Sequence, residues 1–174
     1  MIRDLSREYD LGTPWNFWLK PKETRPEKLR LAIEAILVQQ SNWVNVEKVT
    51  SALEAFWESS NRPQPSWMIS WFQTIDYDTL RSLIKPVGFY NQKATYIKHL
   101  VIIWDSFAPE GLESMAHNLL QVKGVGPETR DAILLYGFKE TTFVIDSFTK
   151  RIGTRAGWFN GLTEDSKYSV WKEH

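Results

Sequence analysis

The chain has 174 residues, of which 43% are hydrophobic, and its 21 basic side chains balance its 21 acidic ones. A chain of this length can bury the core of one domain, or of two small lobes that share a cleft. It contains no cysteine, which excludes disulfides, thiolate nucleophiles, and zinc or iron–sulfur sites held by cysteine. Because the net charge is zero, any contact with a polyanion is expected to be local.

No basic-then-apolar leader opens the sequence, and its apolar runs are shorter than the ~20 residues that a membrane span needs. We therefore expect a soluble cytoplasmic protein of the bacterial cytosol or nucleoid, with no membrane contact. The nine tryptophans are the unusual feature of the composition. Clustered aromatic side chains form either a core or a surface on which flat ligands stack.

The first half of the chain predicts packed helices. Residues 1–27 form an irregular segment, and residues 28–40 are apolar nearly all round, which favours a helix buried on several sides. Ser41 or Asn42 can cap a second helix over residues 44–57. A short helix over 67–73 and another over 78–84, capped by Asp76 or Asp78 and stopped by Pro86, precede a loop and a long helix that reaches Trp104.

A tight hairpin is predicted between residues 119 and 137, where apolar residues flank Gly124-Val125-Gly126. Glycine adopts positive φ at little cost, so we expect both glycines to turn the chain between two helices. Pro127 suits the first turn of the second helix. The free amides of such a hairpin and helix start are expected to point outward together and to attract a phosphate.

Asp146 follows the apolar run Phe143-Val144-Ile145, and a helix is expected to start at or just after it. An aspartate in this position either caps the helix or serves as a catalytic carboxylate. A final surface helix is expected within residues 163–174. No strand alternation and no internal repeat are evident, so the predicted fold is all-α.

Several stretches together resemble the helix-hairpin-helix (HhH-GPD) DNA glycosylase superfamily, the endonuclease-III-like proteins. They are VKGVGPETRDAIL with VID at the matching later position, AILVQQSNWVNVEK and IKPVGFYNQKA. The motif GFYNQKA in a cysteine-free chain is most similar to the 3-methyladenine DNA glycosylase III branch, which lacks the iron–sulfur cluster. The resemblance implies a six-helix barrel lobe over residues 28–137 that ends in the hairpin, and a second lobe formed by residues 1–27 and 138–174, with the cleft between them.

The resemblance also implies a function, base excision repair by hydrolysis of an N-glycosidic bond. Asp146 corresponds to the catalytic carboxylate. Lyase members of the family carry a nucleophilic lysine two residues after the second hairpin glycine, where this chain has Glu128. A carboxylate cannot form an imine, so a monofunctional glycosylase is implied, with alkylated purines such as 3-methyladenine as the expected substrates.

Contacts with damaged double-stranded DNA are implied for further residues of an expected monomer. Gln40 and Phe89 match the residues that fill the gap left by a flipped base, although Gln40 could be a helix cap and Phe89 a core residue. Asn91 and Lys93 suit phosphate contacts. The hairpin residues expected at the DNA are Lys123, Gly124, Val125, Gly126 and Thr129. The carbonyls of Leu120, Val122 and Val125 match those that hold K⁺ or Na⁺ in some family hairpins; no other cofactor is expected.

The resemblance also implies that the base pocket contains Trp43, with Trp15 and Trp18 as further candidates, although any one tryptophan could belong to the core. Two alternatives stay open: a glycosylase for an oxidised or mismatched base, and a helix-hairpin-helix DNA-binding module without catalysis. Family members continue beyond the position where this chain ends, which implies either a minimal C-terminal lobe or a shortened chain.

Overall fold

The structure is a computed structural model that describes residues 16–59, 67, 69–105, 112–158 and 161–173. Every regular element in these ranges is helical, and they contain no strand. The predicted all-α fold is confirmed. None of the helices in the described ranges has the length and apolar character needed to cross a lipid bilayer.

The described residues form ten α-helices and one short 3₁₀ turn. In chain order they are α1 (Asn16–Leu19), α2 (Arg25–Leu37), α3 (Trp43–Ser59), α4 (Ile69–Thr74), α5 (Tyr77–Ile84), the 3₁₀ turn (Lys85–Val87), α6 (Tyr90–Asp105), α7 (Leu112–Gln121), α8 (Pro127–Phe138), α9 (Ser147–Ala156) and α10 (Tyr168–Lys172).

Helix α2 begins three residues earlier than the predicted Lys28 because Thr24 and Glu27 cap it reciprocally. The Thr24 hydroxyl accepts from the Glu27 amide, and the Glu27 carboxylate accepts from the Thr24 amide at 2.8 Å. Pro26 fits this first turn, where no intrahelical N–H bond is lost. The charged, proline-containing run before the apolar stretch is therefore a helix start rather than irregular chain.

Two cap assignments that the sequence left open are resolved by side-chain hydrogen bonds. The Asn42 side chain accepts from the Asn45 amide at 2.9 Å and starts α3. Asp76 accepts from the Thr79 amide at 2.8 Å and starts α5. Helix α4 begins at Ile69, two residues later than predicted, and Trp67 precedes it in a turn with φ of 65°.

One cluster of buried side chains extends from Trp18 to Leu134 and is centred on α2, whose residues 31–37 are all buried. Trp104 and Phe72 are among the largest side chains fully enclosed in it. Ile145 and Trp171 are buried outside this cluster. The division into lobes at residues 137 and 138 stays a prediction, although the cluster ends close to that position.

Helix α10 is fastened to α8 by the buried carboxylate of Asp131. It accepts from the Tyr168 hydroxyl at 2.6 Å, from Lys172 Nζ at 2.8 Å and from Arg130 Nε at 2.7 Å. Burial alone would raise the pKa of Asp131, but these three donors outweigh it and hold the pKa below its ordinary value. The expected surface helix is present, and it is bonded to the second helix of the hairpin.

Candidate active site

The hairpin between α7 and α8 is tight because Gly124 lies under an aromatic ring. Gly124 has φ of 87°, and a Cβ built on it would lie 2.1 Å from a ring carbon of Tyr96. Gly126 differs, since its φ of −89° is ordinary extended backbone with open space around the Cβ position. The expectation that both glycines need positive φ is right for Gly124 and wrong for Gly126.

Two hairpin amides are bonded inside the protein. The Val125 amide donates to the Val122 carbonyl at 3.0 Å, and the Lys123 amide donates to His99 Nδ1 at 2.9 Å. These two amides are therefore not among the free amides that were expected to point outward. The start of α8 remains open to an anion, because its N-cap Gly126 has no side chain to bond the first amides.

Gln39 lies in the turn that follows the buried helix α2 and contacts the hairpin. Its side-chain amide donates to the Gly124 carbonyl at 2.9 Å and to the Thr129 hydroxyl at 3.0 Å. The half-buried Thr129 thus has an internal partner, and its predicted DNA contact stays a prediction. The sequence analysis selected the neighbouring Gln40 and missed Gln39. The signal for Gln39 was a second glutamine directly after an apolar helical run.

Asp146 is the N-cap of α9 and faces a cavity of about 870 Å³. Its Oδ1 accepts from the Thr149 amide at 2.7 Å, which fixes the direction of the carboxylate. Capping and exposure to the cavity occur together, so the two interpretations of this aspartate are compatible. The other polar and aromatic side chains on the cavity wall include Glu128, Trp18, Trp43, Tyr136, Phe143 and Phe148.

Glu128 lies in the first turn of α8 and lines both this cavity and an adjoining one of about 680 Å³. Desolvation at the cavity wall and, second, the negative charge of Asp146 raise the pKa of Glu128, an effect that Lys150 opposes. Lys150 lines the adjoining cavity, and its ammonium donates to the Ser166 carbonyl at 2.6 Å. The adjoining cavity is therefore lined by Lys150 and by four acidic residues, of which the first two also line the larger cavity: Glu128, Asp146, Glu164 and Asp165.

Trp18 and Trp43 meet edge to face at one end of the larger cavity, with ring centroids 5.6 Å apart. Trp18 also packs on Tyr136 at 5.3 Å and is only 5% exposed, whereas Trp43 is half-buried and offers more of its ring. Both predicted tryptophans thus reach the cavity. Trp15, the third candidate, lies outside the described residues.

A buried acid that sequence reasoning missed holds Trp18 in place. Glu34, in the middle of α2, accepts from the Trp18 indole N–H at 2.7 Å and pairs with Arg30 at 2.8 Å. Burial raises the pKa of Glu34, and the bonds to Arg30, Trp18 and Thr50 oppose the rise. An acidic residue inside an apolar helical run was the signal for it.

Gln40 and Phe89, the expected gap-filling residues, are both exposed, and both have left-handed backbone, with φ of 49° and 45°. Phe89 is 59% exposed, which rules out the core interpretation. Asn91 is also exposed, in the first turn of α6, where its predicted phosphate contact is sterically open.

Lys93 is not available to a phosphate, and that prediction is wrong. The residue is 2% exposed, and its ammonium donates to the carbonyls of Leu37 at 2.8 Å and Val87 at 3.0 Å. Burial lowers the pKa of Lys93 to about 8. Its position one turn into α6 directs the side chain into the core rather than along the loop.

The remaining hairpin predictions concern Lys123 and three carbonyls. The Lys123 side chain is exposed. The Val122 carbonyl accepts the Val125 amide, which uses one of its two lone pairs within the turn. The carbonyls of Leu120, Val122 and Val125 would hold K⁺ or Na⁺ through oxygen atoms alone, and this cation site stays a prediction.

The fold and the site define a helical protein that places a hairpin-mounted helix start beside a cavity with two carboxylates. The family model for the HhH-GPD superfamily of base excision DNA repair proteins matches residues 33–172. The chain belongs to this superfamily, and the resemblance predicted from the motifs is confirmed.

Among the relatives that match most of the chain are an archaeal protein and a bacterial protein. A provisionally named DNA repair glycosylase of Methanocaldococcus jannaschii is 36% identical over 171 residues, which cover 91% of this chain and 69% of the relative. Endonuclease III of Thermotoga maritima is 31% identical over 99% of this chain and 74% of the relative.

Solved structures share the fold at low sequence identity. The H. pylori 3-methyladenine DNA glycosylase bound to 1,N6-ethenoadenine superposes with a TM-score of 0.73 at 21% identity, covering 99% of this chain and 75% of that one. An endonuclease III trapped covalently on DNA gives a TM-score of 0.70 at 17% identity, covering 99% and 72%.

Proposed function

We propose that this protein is a monofunctional DNA glycosylase that hydrolyses the N-glycosidic bond of alkylated purines such as 3-methyladenine. The observation that carries the proposal is that one cavity is lined by two carboxylates and two tryptophans, those of Asp146, Glu128, Trp43 and Trp18. The family assignment supports a base excision role. The fold shared with a 3-methyladenine DNA glycosylase supports this substrate class.

The partner in this proposal is double-stranded DNA that contains a damaged base, bound by one copy of the protein without a cofactor. The open N-terminus of α8 offers amides to one backbone phosphate, since Gly126 leaves room for a close approach. Exposed Lys123 and Asn91 extend this contact to neighbouring phosphates. Because the net charge is zero, these local contacts, and not a general basic surface, provide the affinity.

Asp146 supplies the chemistry in this proposal. Cleavage of an N-glycosidic bond develops an oxocarbenium-like sugar, which a fixed anion stabilises, and the same carboxylate can accept a proton from water. The Thr149 amide holds one carboxylate oxygen, so the group needs little reorganisation. The nucleophile is water, and the product is an intact abasic site.

The aromatic side chains that line the cavity support alkylated purines as the proposed substrates. Alkylation gives the purine a positive charge, so the base leaves readily and is attracted to electron-rich ring faces. Trp43 is the more exposed of the two tryptophans, and the bond to Glu34 fixes Trp18 edge to face against it. A flipped base in this cavity would lie close to Asp146 and Glu128, both of which line it.

A panel of duplexes, each with one defined lesion, tests the proposed function. We expect release of 3-methyladenine and related alkylated purines, with strand breaks only after heating in alkali. If the protein instead released an oxidised or mismatched base preferentially, the proposed substrate class would be wrong. Tight binding without release of any base would contradict the glycosylase and favour the non-catalytic binding module.

The reaction type has a separate test, covalent trapping with borohydride. We expect no trapping by the unaltered protein, because Glu128 cannot form an imine, and we expect trapping on abasic DNA by Glu128→Lys. Lys150→Gln is the matched control, since Lys150 is the amine that lines the neighbouring cavity. Efficient trapping by the unaltered protein would contradict the monofunctional assignment, and its loss in Lys150→Gln would identify the amine responsible.

A further inference from the structure

Lys93 connects two separate parts of the backbone through a single ammonium group. Its Nζ donates to the carbonyl of Leu37, the last residue of α2, and to that of Val87, the last residue of the 3₁₀ turn. Its own backbone amide donates to the Phe89 carbonyl at 3.0 Å. Lys93 therefore fixes the end of α2 against the turn that precedes α6.

Each bridged carbonyl is followed within three residues by an exposed side chain on left-handed backbone. Gln40 comes three residues after Leu37 and has φ of 49°, while Phe89 comes two residues after Val87 and has φ of 45°. Left-handed backbone is unfavourable for a non-glycine residue and persists only where the surroundings hold it. At Phe89, which is 59% exposed, little burial of the side chain offsets this cost.

Stability alone does not account for a lysine at this position. Burial lowers its pKa from 10.5 to about 8, so below pH 8 the folded protein carries a charge that is less well solvated than in the unfolded chain. Between pH 8 and 10.5 the unfolded chain binds more protons, so stability rises with pH across that window. An apolar side chain would avoid this cost but would lose both hydrogen bonds.

We propose that Lys93 is a positioning residue that holds Gln40 and Phe89 at a fixed separation, so that the two side chains enter a DNA duplex as a pair. This proposal rests on the proposed function, because it presumes that the protein opens DNA. It differs from the predicted role of Lys93, since the ammonium bonds the protein's own backbone and contacts no phosphate.

The test measures base unstacking and does not depend on base release. The probe is a duplex with 2-aminopurine next to a tetrahydrofuran abasic analogue, whose fluorescence rises when the neighbouring stack opens. For Lys93→Met we expect DNA affinity to remain within about threefold and most of the fluorescence rise to be lost. Lys93→Arg keeps a cationic donor for the two carbonyls and is expected to restore most of the rise.

Lys98→Met is the matched control on the same helix. The Lys98 ammonium also caps backbone carbonyls, those of Phe72 at 2.7 Å and of Ile75, and burial also lowers its pKa. Neither of these carbonyls lies within three residues of Gln40 or Phe89. We expect Lys98→Met to lose stability in urea unfolding and to keep the fluorescence rise.

The outcomes separate this proposal from the proposed function. A full fluorescence rise with Lys93→Met would overturn the positioning role. So would an equal loss of the fluorescence rise in Lys93→Met and Lys98→Met that follows their loss of stability. Absence of any rise with the unaltered protein would also overturn it. Unstacking that depends on Lys93, without release of a base from the lesion panel, would contradict only the glycosylase.

Discussion

Replacing Asp146 with asparagine is expected to slow base release by about 10²–10⁴-fold and to leave the protein folded. Asparagine has nearly the same shape and caps helices about as well as aspartate, so the bond to the Thr149 amide can be retained. Only the negative charge and the basic oxygen are lost. Single-turnover release from the best lesion of the panel measures the effect, and thermal unfolding checks the cap.

The chain provides its own control for this experiment. Asp76 caps α5 as Asp146 caps α9, and each bonds the amide of a threonine three residues later, at 2.8 and 2.7 Å. Asp76→Asn repeats the same change at a helix start that does not line the described cavities. Equal activity of Asp146→Asn and Asp76→Asn would assign Asp146 to capping alone and remove it from the reaction.

Replacing Gly124 with alanine is expected to destabilise the protein by about 2–4 kcal/mol and to weaken DNA binding. The added methyl would lie 2.1–2.5 Å from three ring carbons of Tyr96, on backbone whose φ is 87°. The ring cannot yield without disturbing α6, and the Gln39 bond to the Gly124 carbonyl would shift with it. Urea unfolding measures the stability, and titration of a labelled duplex measures the binding.

Gly126→Ala tests whether the two hairpin glycines have different effects on stability. Its φ is −89° and no heavy atom lies within 4 Å of the position that the methyl group would occupy, so we expect a change in stability of about 1 kcal/mol or less. The methyl would project at the open start of α8, and DNA binding is expected to weaken although the protein stays folded. Similar losses of stability in both variants would refute the distinction drawn between these two positions.

Much of the fold could be predicted because local signals agreed with it. Apolar periodicity placed most of the helices, and Asn42, Asp76 and Asp146 mark helix starts by side-chain chemistry that operates within three residues. The start of α2 was missed because a capping box preceded the apolar run. Such boundaries depend on one or two hydrogen bonds, which periodicity does not report.

The sequence predicted those parts of the candidate site in which the type of residue alone limits the possible chemistry. Glu128 cannot act as an amine in any fold, and an aspartate after an apolar run can be both a cap and a carboxylate at a cavity. Lys93 shows the opposite case. The sequence shows only a cation in the motif GFYNQKA. In the structure Lys93 lies one turn into a helix that directs its side chain inward, where the ammonium is buried and bonds two backbone carbonyls.

The sequence by itself determined the all-helical class, the helix-hairpin-helix motif and the family, because these depend on local periodicity and on residue types at short spacing. Only the tertiary structure decided which groups meet: Glu34 with Trp18, Gln39 with the hairpin, and Lys93 with the two turns that carry Gln40 and Phe89. Each of these contacts joins residues from different elements or brings a buried polar group to a partner. These contacts form because packing removes water from the polar groups, and a buried polar group needs a hydrogen-bond partner inside the protein.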